Sequence, residues 1–344
     1  MRVSARRPGP ALALGLMLGA VACGSSSGKV GSEQPGAGRP TFRWCEGRAF
    51  VPAPEGDFRH TASELLALAA EPIHSAEDVL AHPGDAAPLV ARFAYGVLAT
   101  DLADEDVRVF LDDCRGYRNL GDHATDDDGR IGVTAPADLG PGVYEVRFQV
   151  LGDQSTTVSY VWVLPEETRL VVTDIDGTLT ASDSELFMQV LDGTHTPVAY
   201  PGAVELTSGH ASLGSVVVYL TGRPHWLTQR TRDWTEALGF ARGPLRVAAT
   251  EAEALPGESG VGDYKLAWLE GLLAQGHTVD FAYGNASTDL YAYLGAGFDP
   301  SLVWIIGDHA GEMGTNAAVD SWEPRVDELG ALAPTEQPFD WPPR

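Results

Sequence analysis

Positive charge is what this sequence has least of. Its 344 residues include 23 Lys and Arg against 48 Asp and Glu, a formal net charge of -25. A surface of that sign repels nucleic acid and anionic lipid headgroups alike, which excludes nucleic acid as a partner. No strongly basic amphipathic stretch offers direct insertion into a membrane. The apolar run at residues 11–21 is too short to span a bilayer. Cysteine is scarce too, with Cys23, Cys45 and Cys114 only. What remains is 44% hydrophobic and 21% charged, the balance of a globular chain long enough for two domains.

The first 40 residues read as export and tether. Arg2, Arg6 and Arg7 precede the apolar run, and Ala20-Val21-Ala22 ends it as a small-residue cleavage site would. Cleavage after Ala22 leaves Cys23 first, followed by a Gly/Ser/Pro-rich stretch to residue 40. This resembles a bacterial lipoprotein signal, although Ala20 stands where Leu is usual. The resemblance implies a chain exported to the bacterial cell envelope and anchored to its membrane through Cys23. The competing reading is an ordinary secretory site with Cys23 incidental. In an oxidising compartment Cys45 and Cys114 form a disulfide candidate, against the alternative of two free thiols.

Residues 41–85 read as a short, partly helical segment, with a helix near 61–70. From 86 to 166 the pattern changes. Residues 90–95, 107–111, 143–150 and 157–163 alternate as half-buried strands do, with Gly/Asp/Pro turns between them, so an antiparallel β-sandwich is expected. Asp126, Asp127 and Asp128 before Gly129 suit an acidic turn better than a calcium loop, since no spaced ligands follow.

From about 168 to 335 the pattern is α/β. Apolar runs at 170–172, 216–220, 281–283 and 303–306 alternate with helical stretches at 225–238, 264–275 and 288–294, as a buried parallel sheet requires. Trp226, Trp234 and Trp268 fall on those helices, where packing against the sheet accounts for them. Chemistry in such sheets collects at the carboxyl ends of the strands. There the first strand runs into Asp174-Ile175-Asp176-Gly177-Thr178-Leu179-Thr180. Two carboxylates two residues apart on one strand end require a shared cation or proton, and Mg²⁺ is the expected cofactor. An EF-type calcium loop is excluded because its sixth position, which must turn sharply, is Leu179. Thr221 closes the second strand before Gly222-Arg223-Pro224, where its hydroxyl can meet a phosphoryl oxygen or cap the next helix. Lys265 opens a helix and can neutralise phosphoryl charge. Asn285 and Asp289 follow the third strand as metal-site groups. Asp308 and His309 stand at a fourth strand end, where lining the pocket and simple turn formation are open alternatives.

These motifs, in this order, resemble the haloacid-dehalogenase-like phosphatases. More narrowly, Asp174 through Thr180, Tyr219 through Pro224, and Gly284-Asn285 through Tyr293 are similar to the lipin-type domain of phosphatidate phosphatases and of membrane-associated phosphatidylinositol transfer proteins. The preceding sandwich resembles the immunoglobulin-like domain of lipins in architecture. The resemblance implies a Mg²⁺-dependent phosphoric monoester hydrolase without a large cap, acting on phosphatidate or a related lipid phosphate. In it Asp174 is the nucleophile, Asp176 the general acid and base, Thr221 and Lys265 complete the catalytic set, and Asp174, Asp176, Asn285 and Asp289 hold the metal. The alternatives are a domain that binds or senses phosphatidate without turnover, and a phosphatase acting on a non-lipid phosphoester. Only about 40 residues separate Thr180 from Thr221, which leaves an open site suited to a bulky or interfacial substrate.

Overall fold

A computed structural model describes residues 41–96, 98–182, 195–250 and 252–336. The expected signal peptide and tether lie outside the described residues. The two regions that meet near residue 167 belong to one compact unit, Arg39–Arg344.

The first region is a β-sandwich-like assembly. Its strands are β1 (Arg43–Cys45), β2 (Ser75–Ala76), β3 (Val79–Ala81), β4 (Pro88–Arg92), β5 (Ala94–Tyr95), β6 (Thr100–Asp101), β7 (Asp106–Asp112), β8 (Tyr117–Ala124), β9 (Arg130–Thr134), β10 (Gly142–Val150) and β11 (Thr156–Val163), with one helix, α1 (Thr61–Ala69). One sheet runs β3-β11-β10-β7-β8, with β1 paired to the start of β10, and a second runs β2-β4-β9. Alternation is why β10 forms a strand: Val146, Phe148 and Val150 point into a core with Val107, Val109 and Leu111 of β7. The pairing is mostly antiparallel, but β1 on β10 and β3 on β11 are parallel. Residues 41–85 are therefore part of the sandwich rather than a separate segment, since they contribute β1, β2 and β3. Two- and three-residue strands hold too few positions to show a period. Asp126 Oδ1 accepts the N–H groups of Asp128 and Arg130, the acidic turn expected there. Cys45 and Cys114 are joined in a disulfide.

The second region is a parallel α/β sheet. It comprises β12 (Arg169–Thr173), α2 (Ala203–Ser212), β13 (Val216–Pro224), α3 (Thr228–Leu238), β14 (Leu245–Ala248), α4 (Asp263–Ala274), β15 (Thr278–Gly284), α5 (Ser287–Gly295), β16 (Val303–Ile306), β17 (Asn316–Ala318) and α6 (Glu323–Leu329). The strand order is β14-β13-β12-β15-β16-β17 and every adjacent pair is parallel. Both faces are covered. Leu170, Val172, Val216 and Val218 meet Leu269 and Leu272 of α4 on one side, while Val171, Val217 and Tyr219 meet Leu206 of α2 and Trp234 of α3 on the other. The chain steps outward from β12 to β14 and then returns to the opposite side of β12 with β15. That reversal opens a crevice at the carboxyl ends of β12 and β15.

The two regions share a core, since Phe42, Leu80, Trp162 and Leu164 pack with Leu170, Val216 and Leu269. Polar ties reinforce it. The buried Asp78 carboxylate, between β2 and β3, accepts from both terminal nitrogens of Arg232 on α3 and from the N–H groups of Tyr160 and Leu245.

Candidate functional site

Asp174 follows the last residue of β12, in the crevice opened by the strand-order reversal. The turn behind it is closed by specific bonds. Gly177 takes a positive φ of 71°, which an L side chain rarely adopts, and its N–H donates to Thr180 Oγ1 at 3.0 Å. Trp322, fully buried, donates its indole N–H to the Thr178 carbonyl at 2.8 Å. Thr180 thus locks the turn that presents Asp174.

Lys265, near the start of α4, extends under this turn and is 2% exposed. Its Nζ lies 2.6 Å from Asp174 Oδ1 and 2.7 Å from Asp289 Oδ1. The second oxygen of Asp289 accepts the backbone N–H groups of Asn285 and Ala286 at the start of α5. Gly284 makes this approach feasible, because a Cβ there would stand 2.5 Å from Asp289 Cβ. The Thr178 hydroxyl lies 3.1 Å from Asp174 Oδ2 and 3.0 Å from Asn285 Oδ1, and its single proton serves one at a time.

Asp176 faces a partner that the motif reading missed. Both its oxygens lie 2.8 Å from Arg223, one on Nε and one on Nη2. Arg223 is fully buried, donates its remaining terminal nitrogen to Thr231, and has its guanidinium carbon 5.3 Å from the centre of the Trp234 ring. Thr221, also buried, holds its hydroxyl 3.5 Å from Asp176 and accepts the N–H of Arg223 at 3.2 Å, so it steadies the Arg223 loop instead of capping a helix. The pairing became legible only once α3 and β13 were in place. The sequence signal was the adjacency of Gly222-Arg223-Pro224 to Thr221.

Among the described residues, three carboxylates against two cations leave this cluster one negative charge in excess. Burial pushes the Asp174 carboxyl up to about 7; Lys265 opposes that push, while Asp289 and Asp176 add to it. Burial alone would lower Lys265, yet Asp174 and Asp289 together hold it above the usual lysine range. The ammonium therefore stays charged, and the excess falls on Asp174.

As a metal site the cluster offers a sparse set of oxygens. Among the described residues no group of three or more His, Cys, Asp or Glu side chains is gathered to hold an ion. Asp176 is engaged by Arg223, and Asp289 by Lys265 and two amides. Asp174 and Asn285 present the oxygens that converge, and the negative excess suits a cation. Those features fit a magnesium ion that keeps most of its waters, since Mg²⁺ commonly takes only one or two carboxylates from the protein. His309 pairs with Glu312 in the loop after β16.

Residues 72–163 match the family described as PITM 1-3, beta-sandwich domain, and residues 171–307 match PITM 1-3, LNS2 domain. Protein retinal degeneration B of Drosophila melanogaster is 31% identical over 289 residues, covering 82% of this chain and 21% of the relative. Human membrane-associated phosphatidylinositol transfer protein 3 is 32% identical over 244 residues, covering 68% of this chain and 23% of the relative. The chain thus spans about a fifth of the length of the curated relatives it matches. These animal relatives overturn the expectation of a bacterial lipoprotein with a signal peptide and a lipid anchor on Cys23. They bear the names of lipid-transfer and retinal-degeneration proteins, and the hydrolase label drawn from the motifs finds no counterpart there. In order along the chain, residues 72–307 resemble the β-sandwich and LNS2 domains of the membrane-associated phosphatidylinositol transfer proteins.

Proposed function

We propose that the α/β domain binds the phosphate headgroup of a membrane lipid, with phosphatidate as the leading ligand, and does not hydrolyse it. The Asp176–Arg223 pair carries this reading. An acid and base catalyst has to give up and regain a proton, but both Asp176 oxygens are occupied by a guanidinium with no access to water. Releasing Asp176 breaks two charge-assisted hydrogen bonds to a buried guanidinium, which is costly. Fixed donors suit recognition: Lys265 offers an ammonium at the floor of the site, and Thr178 and Thr221 offer hydroxyls beside it. Because the cluster is one charge too negative for an anion, Mg²⁺ at Asp174 and Asn285 would supply the charge that phosphate needs. The names of the relatives, which include phosphatidylinositol transfer proteins, support a lipid partner.

The second reading is a phosphatase of the haloacid-dehalogenase-like kind. It rests on Asp174, whose buried carboxylate stands at a strand end with its charge incompletely balanced. In that case an Asp174 oxygen bonds phosphorus as the ester oxygen departs and takes a proton from Asp176. Water then cleaves the aspartyl-phosphate and regenerates both carboxyls.

One experiment separates the two. Phosphatidate vesicles are incubated with the full chain, with and without Mg²⁺, and both binding and phosphate release are measured, using Asp174→Asn as control. Saturable binding with release no greater than the control supports recognition. Release that Asp174→Asn abolishes overturns it in favour of hydrolysis.

A further inference from the structure

The charged cluster is recessed, but its rim is apolar. In the α/β region, four large apolar side chains are more than half exposed among the described residues: Val198 at 58%, Leu255 at 60%, Val319 at 68% and Met313 at 70%. Isolated exposed apolar residues are ordinary on a protein surface. Three of these four, however, occupy chain segments that leave the carboxyl ends of the sheet, where the cluster lies.

Each of the three is tied to the site wall. The Val198 carbonyl accepts the N–H of Ala181, one residue beyond the Asp174–Thr180 turn. The Leu255 carbonyl accepts the N–H of Val261, and Val261 covers Gly222 so closely that a Cβ there would come within 2.7 Å. Gly222 is the residue after Thr221. Val319 directly follows β17, three residues before Trp322. The Trp322 N–H bonds the Pro201 carbonyl, which joins the Val319 segment to the Val198 segment, and its ring N–H props Thr178. Met313 is the exception. Gly314 beside it approaches Pro300, which precedes β16, so Met313 lies towards the amino ends of the strands, away from the site.

We infer that Val198, Leu255 and Val319 form an apolar rim that seats the headgroup site on a bilayer surface. The inference rests on the headgroup-binding reading and names how the ligand is presented. A diacyl phosphate lipid cannot leave its bilayer cheaply, so a recessed site has to come to the membrane. The rim segments 196–202, 252–262 and 319–323 contain no Lys or Arg but include Glu253, Glu258, Asp320 and Glu323. Attraction to bulk anionic lipid is therefore absent. The surface that fits is a mainly zwitterionic one carrying a small fraction of phosphomonoester lipid, gripped by apolar insertion and by the headgroup.

The test uses the full chain and phosphatidylcholine vesicles holding about 5 mol% phosphatidate, with glycerol 3-phosphate as the soluble probe of the headgroup site. All three rim positions are exposed, so Ser replacements leave the fold intact. Leu255→Ser with Val319→Ser is expected to weaken vesicle binding at least tenfold, on the order of what losing two inserted side chains implies. Glycerol 3-phosphate affinity stays within twofold of the parent, and Met313→Ser changes neither. Raising salt from about 50 to about 500 mM strengthens vesicle binding, because it screens repulsion between an acidic protein and an anionic lipid. Vesicle binding that survives the double substitution, or that falls with salt, overturns the rim. Failure of the parent chain to bind glycerol 3-phosphate overturns the headgroup reading instead, with Lys265→Met as the matched loss.

Discussion

Arg223 has no contact with water, and both of its bonds to Asp176 are charge-assisted. Side chains whose only task is chemistry usually tolerate replacement by an isostere, and removing a strained one often stabilises the fold. The Asp176–Arg223 geometry predicts the reverse. Asp176→Asn leaves the guanidinium facing an amide that cannot balance it, and urea unfolding should show a loss of about 2–3 kcal/mol. Unchanged or increased stability would mean that the pair is not what holds Asp176, and would return it to the catalytic set. Lys265→Met should cost about 3 kcal/mol as well, because Asp174 and Asp289 lose their shared cation. At this scale the sequence was readable where position along an element decides which side chains meet. Asp174, Thr221, Lys265, Asn285 and Asp289 fall at strand ends or helix starts, and the fold gathers them. Arg223 was not readable, because its partner is 47 residues away in sequence and meets it only across β12 and β13.

Among the elements, α3 and the turn before it carry several of the polar ties between sandwich and sheet. Arg232 extends from it to Asp78, Thr231 supports Arg223, and His225, just before it, is 3.0 Å from both Ser75 and the Arg92 guanidinium. A guanidinium can only donate, so the His225 nitrogen it faces accepts and the other ring nitrogen bonds Ser75. The element therefore connects sandwich, Arg223 loop and sheet at once. Asp78→Ala should unpair the half-buried Arg232 and leave the Leu245 N–H without its acceptor, for a loss of about 3 kcal/mol. Followed by calorimetry, this variant should unfold in a separate early step for the sandwich while the parent unfolds in one. Equal single transitions would show that the shared apolar core, without Asp78, couples the two regions. Long elements were legible, β10 and β11 from their alternation and α4 from its place between two apolar strands. β1, β2 and β3 were not, since each is ordered by its neighbour in the sheet and not by its own two or three residues.

Across the whole molecule, buried histidines set the response to acid. Burial is the main cause in each case: it lowers His74 to about 4 and His210 to about 3, with Arg325 adding to the effect on His210. It lowers His277 to about 4, with His82 adding to it, while nearby Asp85 acts in the opposite direction. His210 shows why: its Nε2 lies 2.7 Å from the Tyr283 hydroxyl, which itself accepts from Arg325, so the hydroxyl proton points at the imidazole and the ring must stay neutral. An unfolded histidine titrates near 6.5. As the pH falls from 6.5 towards 4, the unfolded chain takes up three protons that the folded chain refuses, and stability is lost over that window. Asp174 acts in the other direction. Its carboxyl, pushed up to about 7, holds a proton in the folded state that an unfolded aspartate releases down to about 4. One of the three protons is thereby offset, leaving a net uptake of about two and a slope of about 3 kcal/mol per pH unit at its steepest. Summed from pH 6.5 to 4, that slope removes about 6 kcal/mol, enough to unfold a chain at the lower end of the about 5–15 kcal/mol of an ordinary fold. Urea titrations at pH 7, 6 and 5 measure it directly. Asp174→Asn removes the compensating proton and should steepen the curve towards three. A stability that stays level from pH 7 to 5 would show that these imidazoles reach water in the folded chain.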